Sequence, residues 1–385
     1  MSDSGLQFLV DKQSTADPSL QPKYNNLVSL YQNKLWHQFS ESLLDLINQL
    51  PLEGSDSLLK ELYGNLIKDN LELRISQLMH VEISYAVVTK YTSLDEARDF
   101  MMRVKSVVDQ RNDKHAKVLV RIILAKIDLV SKEFDKVEDA LNKVKPFIAD
   151  TQPTAQVHGR YYDVASSMYQ VKGDHTNFYI NALGYLACGT DYLSIEYIRE
   201  RSFHICLAAI LSDDLYDLCE IMQNQIIVNC LKTTKDDWVL QLIQAIGSGD
   251  IDTVENLKTN WSIQPDLRAH ADWIETKSSI LALVAMACDQ HNNRTSNSGI
   301  VRLSLSEIHK QIGGDAEILC MKVLSLGLLQ GSIDQVKSLF TVTWIKPLSL
   351  TTVHQLTSLR ERLRTWHHTS SNLGQLLLEK AQLSG

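Results

Sequence analysis

Between residues 301 and 347 the apolar residues pass from helical spacing to a run of β-formers, which restricts the fold of that stretch more than any other part of the chain. Ser304 and Glu307 have the spacing of a capping box, which predicts a helix from Ser304 with Leu305, Ile308 and Ile312 on one face. Gly313 and Gly314 end that helix. Asp315 can cap a second one that turns Ala316, Leu319, Cys320 and Val323 inward, and Gly327 stops it. Residues 328–333 and 339–345 suit two short strands about a turn near Asp334 and Gln335, and residues 301–303 can supply a third. Strand, helix, helix and two-stranded wing make a winged-helix module.

Winged helices often meet DNA through the first turns of the second helix. Here those turns carry Asp315 and Glu317, with Lys322 the only basic residue before the wing. Phosphate contacts need Lys or Arg, so two carboxylates in that place repel a nucleic-acid backbone. The module reads as a protein-docking element, with nucleic-acid binding the runner-up from another functional class.

At 385 residues the chain is too long for one compact core, so several domains or a repeat array are expected. Seven prolines and sixteen glycines, beside many Leu, Lys, Glu and Gln, point to a mostly helical chain. A net charge of -8 and a pI near 5.8 argue against nucleic-acid or anionic-membrane partners. Residues 1–5 lack the basic and apolar regions of a signal peptide, and the longest apolar run, 280–288, is far short of the roughly 20 residues a membrane span needs. Cys188, Cys206, Cys219, Cys230, Cys288 and Cys320 lie singly on helical faces with no C-x-x-C pair, which fits a reducing compartment. A soluble intracellular protein is expected.

Residues 1–22 are polar and contain Pro18 and Pro22, so a loosely held lead-in is expected there. Residues 24–50 read as helical through Leu27, Leu30, Tyr31 and Leu35, then Leu43, Leu46, Ile47 and Leu50, and a further helix is expected over 58–79. Turns at Thr92-Ser93, Lys132-Glu133, Gly173-Asp174, Asp213-Asp214 and Gly249-Asp250 then recur at roughly 40 residues, the size of a helix-turn-helix repeat in an α-solenoid. Amphipathic helices follow over 94–108, 134–147, 177–187, 215–227 and 251–257, and each pair leaves an apolar face that only a neighbour can cover. Residues 273–288 are apolar nearly all round and should form a buried helix beside the winged helix, with a polar loop over 292–299. The expected division is a lead-in at 1–22, a solenoid at 23–290, a winged helix at 291–348 and a terminal helix at 349–385.

In that terminal helix Leu356, Leu359, Leu363, Trp366, Ser370, Leu373 and Leu377 alternate at spacings of three and four, which makes a heptad seam suited to partner helices. Arg360 and Arg362 flank the seam, so acidic residues on the partner are expected. A helix folded back on its own solenoid is the alternative.

Nothing in the sequence supports catalysis. Gly247-Ser248-Gly249-Asp250 has half of a dinucleotide loop, but Asp252 occupies the third glycine position and no strand precedes it, so a turn between helices is the better reading. Asp213-Asp214 and Asp236-Asp237 precede apolar helical runs, where carboxylates satisfy free N–H groups. His367 and His368 are adjacent and point to different sides of one helix. The aromatics from Tyr161 to Tyr185 have only Arg160 and Lys172 near them, too few cations for base stacking, and core packing explains them. No metallopeptidase, hydrolase or P-loop signature occurs, and no cofactor or metal is expected.

A helical-repeat arm, an acidic-faced winged helix and a terminal bundle helix together resemble the PCI family, the scaffold subunits of the proteasome lid, the signalosome and a translation initiation factor. Ala16 to Leu20, Lys34-Leu35-Trp36, Ser40 to Leu43, Leu326 to Val336, and Trp344 with Pro347 are similar to the proteasome-lid branch, in the same order at both ends of the chain. The resemblance implies a non-catalytic lid scaffold working in ubiquitin-dependent protein degradation, in cytoplasm and nucleus, as part of a hetero-oligomer. It implies docking through the winged helix at Gly327, Leu329, Gly331, Ile333, Asp334 and Gln335, and through the C-terminal helix. Partners implied are other PCI lid subunits, the lid deubiquitinase pair and a ubiquitin-receptor subunit.

Overall fold

The computed structural model describes residues 4–15, 21–49, 59, 61–66, 74–91, 93–111, 113–150, 155–189, 194–232, 234–293, 301–347 and 353–383. The class is the expected one: mostly α, a helical solenoid with a small winged-helix module. The chain forms two compact units, Met1–Gly173 with Asn181–Thr190, and Asp174–Ile180 with Asp191–Gly385. The division expected at residue 290 falls inside the second unit.

The first unit is built from helices Ser4–Thr15, Gln21–Gln32, Trp36–Gln49, Gln77–Val88, Leu94–Asp109, Lys114–Val130, Phe134–Asp150 and Ala155–Lys172. The expected loose lead-in is instead partly helical. Leu9 is fully buried and shares a core with Tyr24, Leu27, Tyr31, Phe39 and Leu43. An apolar anchor outweighed the polar composition around it. The single helix expected over residues 24–50 is two helices, because Lys34 takes a left-handed backbone at φ 57° and leaves Leu35 half-exposed in a turn. The helix expected over 58–79 is also interrupted: Ser76 caps a new helix by accepting a bond from the Met79 amide.

Four helices in the two units end by the same device. Lys34, Lys132, Gly249 and Gly327 all have positive φ, and the next residue's amide reaches back five residues, Leu35 to Leu30, Glu133 to Asp128, Asp250 to Ala245 and Leu328 to Val323. This satisfies carbonyls that the helix itself cannot. Lys114–Val130 is buried on two sides: Leu119, Ile123 and Ile127 face one core, while Val118, Ile122 and Ala125 face another with Val137, Leu141 and Val164. The aromatics near Tyr161 serve packing as expected, with Tyr161 and Tyr162 edge to face at 5.5 Å. A polar girder crosses the same unit. Lys126 Nζ meets Asp163 Oδ2 at 2.7 Å and the Tyr85 hydroxyl at 3.0 Å, and Arg160 lies 4.1 Å from the Tyr85 ring centre. Burial opposes the Lys126 charge, but Asp163 and Tyr85 outweigh it and hold its pKa above the ordinary lysine range.

The second unit centres on helix Ala271–Asn293, which packs against Ile195–Leu211, Asp237–Ser248, Ile251–Asn256 and the winged helix. Ile274, Ile280, Leu281, Leu283, Val284 and Ala287 are buried, as its composition predicted. Its interior also holds Lys277, which is fully buried. The Lys277 ammonium donates to the Ala209, Ile210 and Ser212 carbonyls at 2.9, 3.1 and 2.7 Å, closing the end of Ile195–Leu211. Burial pushes its pKa down to about 7, with Asp213 pulling the other way. Gly249 lets Asp237–Ser248 approach this helix closely, since a Cβ there would stand 2.7 Å from the Ala282 Cα. The helix expected over 215–227 is broken into Cys219–Gln223 and Gln225–Lys232, with Asn224 extended between them. Residues 294–300, most of the expected polar loop, lie outside the described residues, as do Thr92, Ala16 to Leu20, and 349–352 at the start of the expected terminal helix.

Candidate docking surfaces

The winged helix comprises β1 (Val301–Ser304), helices Leu305–Ile312 and Ala316–Ser325, β2 (Leu329–Asp334) and β3 (Leu339–Ile345). The antiparallel sheet has the order β1-β3-β2, so β1 and β2 are its edges and the outer side of each can pair with another chain. Val301, Leu303, Ile308, Cys320, Val323, Phe340 and Val342 fill its core. Ser304 takes the cap position, but its side chain makes no capping bond, so the expected capping box is not formed. Asp315 does cap, with Oδ1 accepting from the Glu317 and Ile318 amides at 3.0 and 3.4 Å. Ala316, Leu319, Cys320 and Val323 point inward as expected.

The residues assigned to docking here divide into supports and surface. Leu329 is 1% exposed and belongs to the core, so it cannot meet a partner. Gly327 makes the left-handed turn after the second helix, and Gly331 lets β2 approach β3 at a register shift between Gln330 and Gly331. Ile333 and Asp334 are half-buried. Asp334 accepts the Lys337 amide at 3.1 Å, which shapes the wing turn. Gln335 is exposed and donates to Glu317 Oε2 at 3.2 Å, tying the wing to the second helix.

Sequence reasoning missed the residues that make the surface apolar. Ile318 and Met321, one turn apart on the second helix, are 49% and 54% exposed, and Trp344 is 43% exposed on β3. The signal was there: the helix carries more apolar residues than one inward face can hold. This face offers Glu317 and Lys322 beside two apolar side chains, which suits a protein surface better than phosphates.

Helix Val353–Leu383 spans about 46 Å for its 31 residues. Every described side chain from residue 359 to 377 is exposed, including Arg360. Leu359, Leu363, Trp366, Leu373 and Leu377 are 43–74% exposed, and Leu376 widens the stripe. The Leu356 and Arg362 side chains lie outside the described residues. A seam of this kind within 31 residues is an unsatisfied apolar surface.

Among the described residues no group of three or more His, Cys, Asp or Glu side chains is placed to hold a metal ion. No helix among them is long and apolar enough to cross a membrane. Cys320 is buried among the winged-helix core residues, and burial, with Glu317 nearby, pushes its thiol up to about 11.

The profile of the family described as PSD13 N-terminal repeats matches residues 23–243, more than half of the chain. The chain belongs to the family of 26S proteasome non-ATPase regulatory subunit 13. The subunit of that name from Dictyostelium discoideum is 28% identical over 91% of this chain and 90% of its own length. Homolog B from Arabidopsis thaliana is 30% identical over 94% of each. The 26S proteasome regulatory subunit RPN9 of Saccharomyces cerevisiae is 26% identical over 95% of each. These likenesses run beyond the repeats and take in the winged helix.

Proposed function

We propose that the chain is a non-catalytic scaffold subunit of the 26S proteasome regulatory particle lid, serving ubiquitin-dependent protein degradation. The observation that carries this reading is the length of the likeness, at least 91% of this chain and 90% of each of three relatives named as proteasome regulatory subunits. A signalosome or initiation-factor subunit shares the architecture but leaves that likeness unexplained.

A hetero-oligomer with other proteasome subunits follows from the family. In finer detail, the neighbours are other PCI lid subunits, the lid deubiquitinase pair and a ubiquitin-receptor subunit, met in cytoplasm and nucleus. The free edges of β1 and β2 support docking through the sheet, since edge amides and carbonyls can pair with a neighbouring strand. The exposed Leu363, Trp366, Leu373 and Leu377 support joining a helix bundle, with Arg360 and Arg362 choosing acidic neighbours.

Affinity purification of the tagged full chain from a cell extract tests this. Proteasome regulatory subunits co-elute with it, and they are lost when residues 349–385 are deleted. Replacing Arg360 and Arg362 by Glu weakens recovery. Elution with signalosome or initiation-factor subunits instead, or with no partner, overturns the proposal.

A further inference from the structure

Three successive helices of the first unit open one groove of about 340 Å³. Lys114–Val130 forms its floor through Arg121, Leu124, Ala125 and Asp128, spaced as one helical stripe. Leu94–Asp109 supplies one wall with Arg98, Met102 and Lys105, and Phe134–Asp150 the other with Lys136, Asp139, Ala140 and Lys143. Arg98, Met102 and Lys105 step by four and three, and Lys136, Ala140 and Lys143 by four and three with Asp139 beside Ala140, so each wall presents one helical face to the same space.

The groove runs against the charge of the molecule. The whole chain has 46 acidic and 38 basic residues, but five cations and two carboxylates line this space. Arg98 is engaged, at 3.1 Å from Asp128 and 3.7 Å from Glu133, and Lys136 meets Glu133 at 2.6 Å. Lys105, Arg121 and Lys143 have no ion-pair partner among the described residues. Between them lies an apolar patch, with Met102 49% exposed and Leu124 half-buried.

We infer that this groove binds an acidic segment of a partner protein through two recognitions at once. Lys105, Arg121 and Lys143 receive its carboxylates, and a single apolar side chain seats on Met102 and Leu124. The volume suits an anchor of that size. A flexible methionine at the rim accepts anchors of different shape. No aromatic ring lines the groove, so it lacks the stacking platform on which single-stranded nucleic acid is held.

Fluorescence anisotropy of the full-length protein with a dye-labelled peptide of about ten residues, Glu and Asp around one Leu, tests the inference. Replacing Lys105, Arg121 and Lys143 together by Glu weakens binding about tenfold or more, and replacing all three by Gln weakens it less. The same charge change placed elsewhere, at the exposed Arg199, Lys235 and Arg268, alters it less than about twofold, which separates the groove from the overall field. A peptide with Ser in place of Leu binds about threefold or more weakly. Circular dichroism confirms that each variant is folded. The inference fails if the peptide does not bind, if the two triple variants weaken it equally, if the Ser peptide binds as well as the Leu peptide, or if oligouridylate of equal charge binds more tightly.

Discussion

Replacing Gly331 by Ala should open the wing. In the sheet Gly331 faces Val342 and Ser332 faces Thr341, just after the register shift. A Cβ on residue 331 would lie 2.0 Å from the Thr341 carbonyl oxygen, 3.0 Å from its carbon and 3.1 Å from the Val342 Cα. All three are backbone atoms, so no change of rotamer relieves the overlap. Ordinary contact requires β2 and β3 to part by about 1.3 Å, which stretches neighbouring N–H···O distances of about 2.9 Å past any useful bond. Losing two ladder bonds costs about 1 kcal/mol each. Partial exposure of Leu329 and Val342, each 1% exposed, adds roughly another 1 kcal/mol. The total is about 3 kcal/mol, a large part of the ~5–15 kcal/mol that holds a typical domain. Urea unfolding gives the stability change, and hydrogen exchange resolved to peptides covering residues 328–346 locates it. Unchanged exchange there would refute the close approach. The variant also keeps the terminal helix whole, so loss of proteasome subunits on affinity purification would implicate the sheet itself.

Lys277→Met keeps the aliphatic packing but strips three buried carbonyls of their donor. At roughly 1 kcal/mol per carbonyl, partly offset by removing a buried charge, a loss of about 2 kcal/mol is expected in urea unfolding, and an equally stable variant would contradict it. His80, bonded to the Tyr63 hydroxyl at 2.8 Å, has its pKa lowered to about 4 by burial and by Arg111. Because the unfolded chain takes up that proton first, near pH 6.5, stability from His80 is present above 6.5 and is lost as pH falls toward 4, by up to about 3 kcal/mol. His80→Gln should flatten the unfolding free energy in that window, and an unchanged pH profile would count against the shift.

The sequence told most where a local rule had no competitor. Asp315 caps, Gly249 and Gly327 turn, and residues 271–293 bury an apolar helix, because each follows from the residue and its near neighbours. It misled where tertiary contact or backbone shape decided. Lys34 ends a helix without glycine, and Leu9 anchors a helix in a polar segment. Ser304 stands at a cap without using its hydroxyl. The terminal seam was legible as a heptad, and Ile318 and Met321 were legible as apolar residues in excess of the inward face of their helix. Lys277 and the basic groove were not legible. Lys105, Arg121 and Lys143 are scattered over residues 105–143, and only helix packing brings them together.

The terminal helix cannot hold the molecule in an assembly by itself. Leu359, Leu363, Trp366, Leu373 and Leu377 are already 26–57% covered, so burying the rest gains roughly 1–2 kcal/mol each, about 5–10 kcal/mol in all. Association costs on the order of 4–15 kcal/mol in lost freedom before any surplus appears. A second contact must contribute, and the sheet edges with Ile318, Met321 and Trp344 offer one in the same unit. Two sites joined in one chain act with a high local concentration, so removing either one should cost far more than its own share. Deleting residues 349–385 and replacing Gly331 by Ala should therefore each abolish co-purification almost completely. If each left about half of the recovered subunits, the two surfaces would be binding independently, and the argument for a shared interface would be lost.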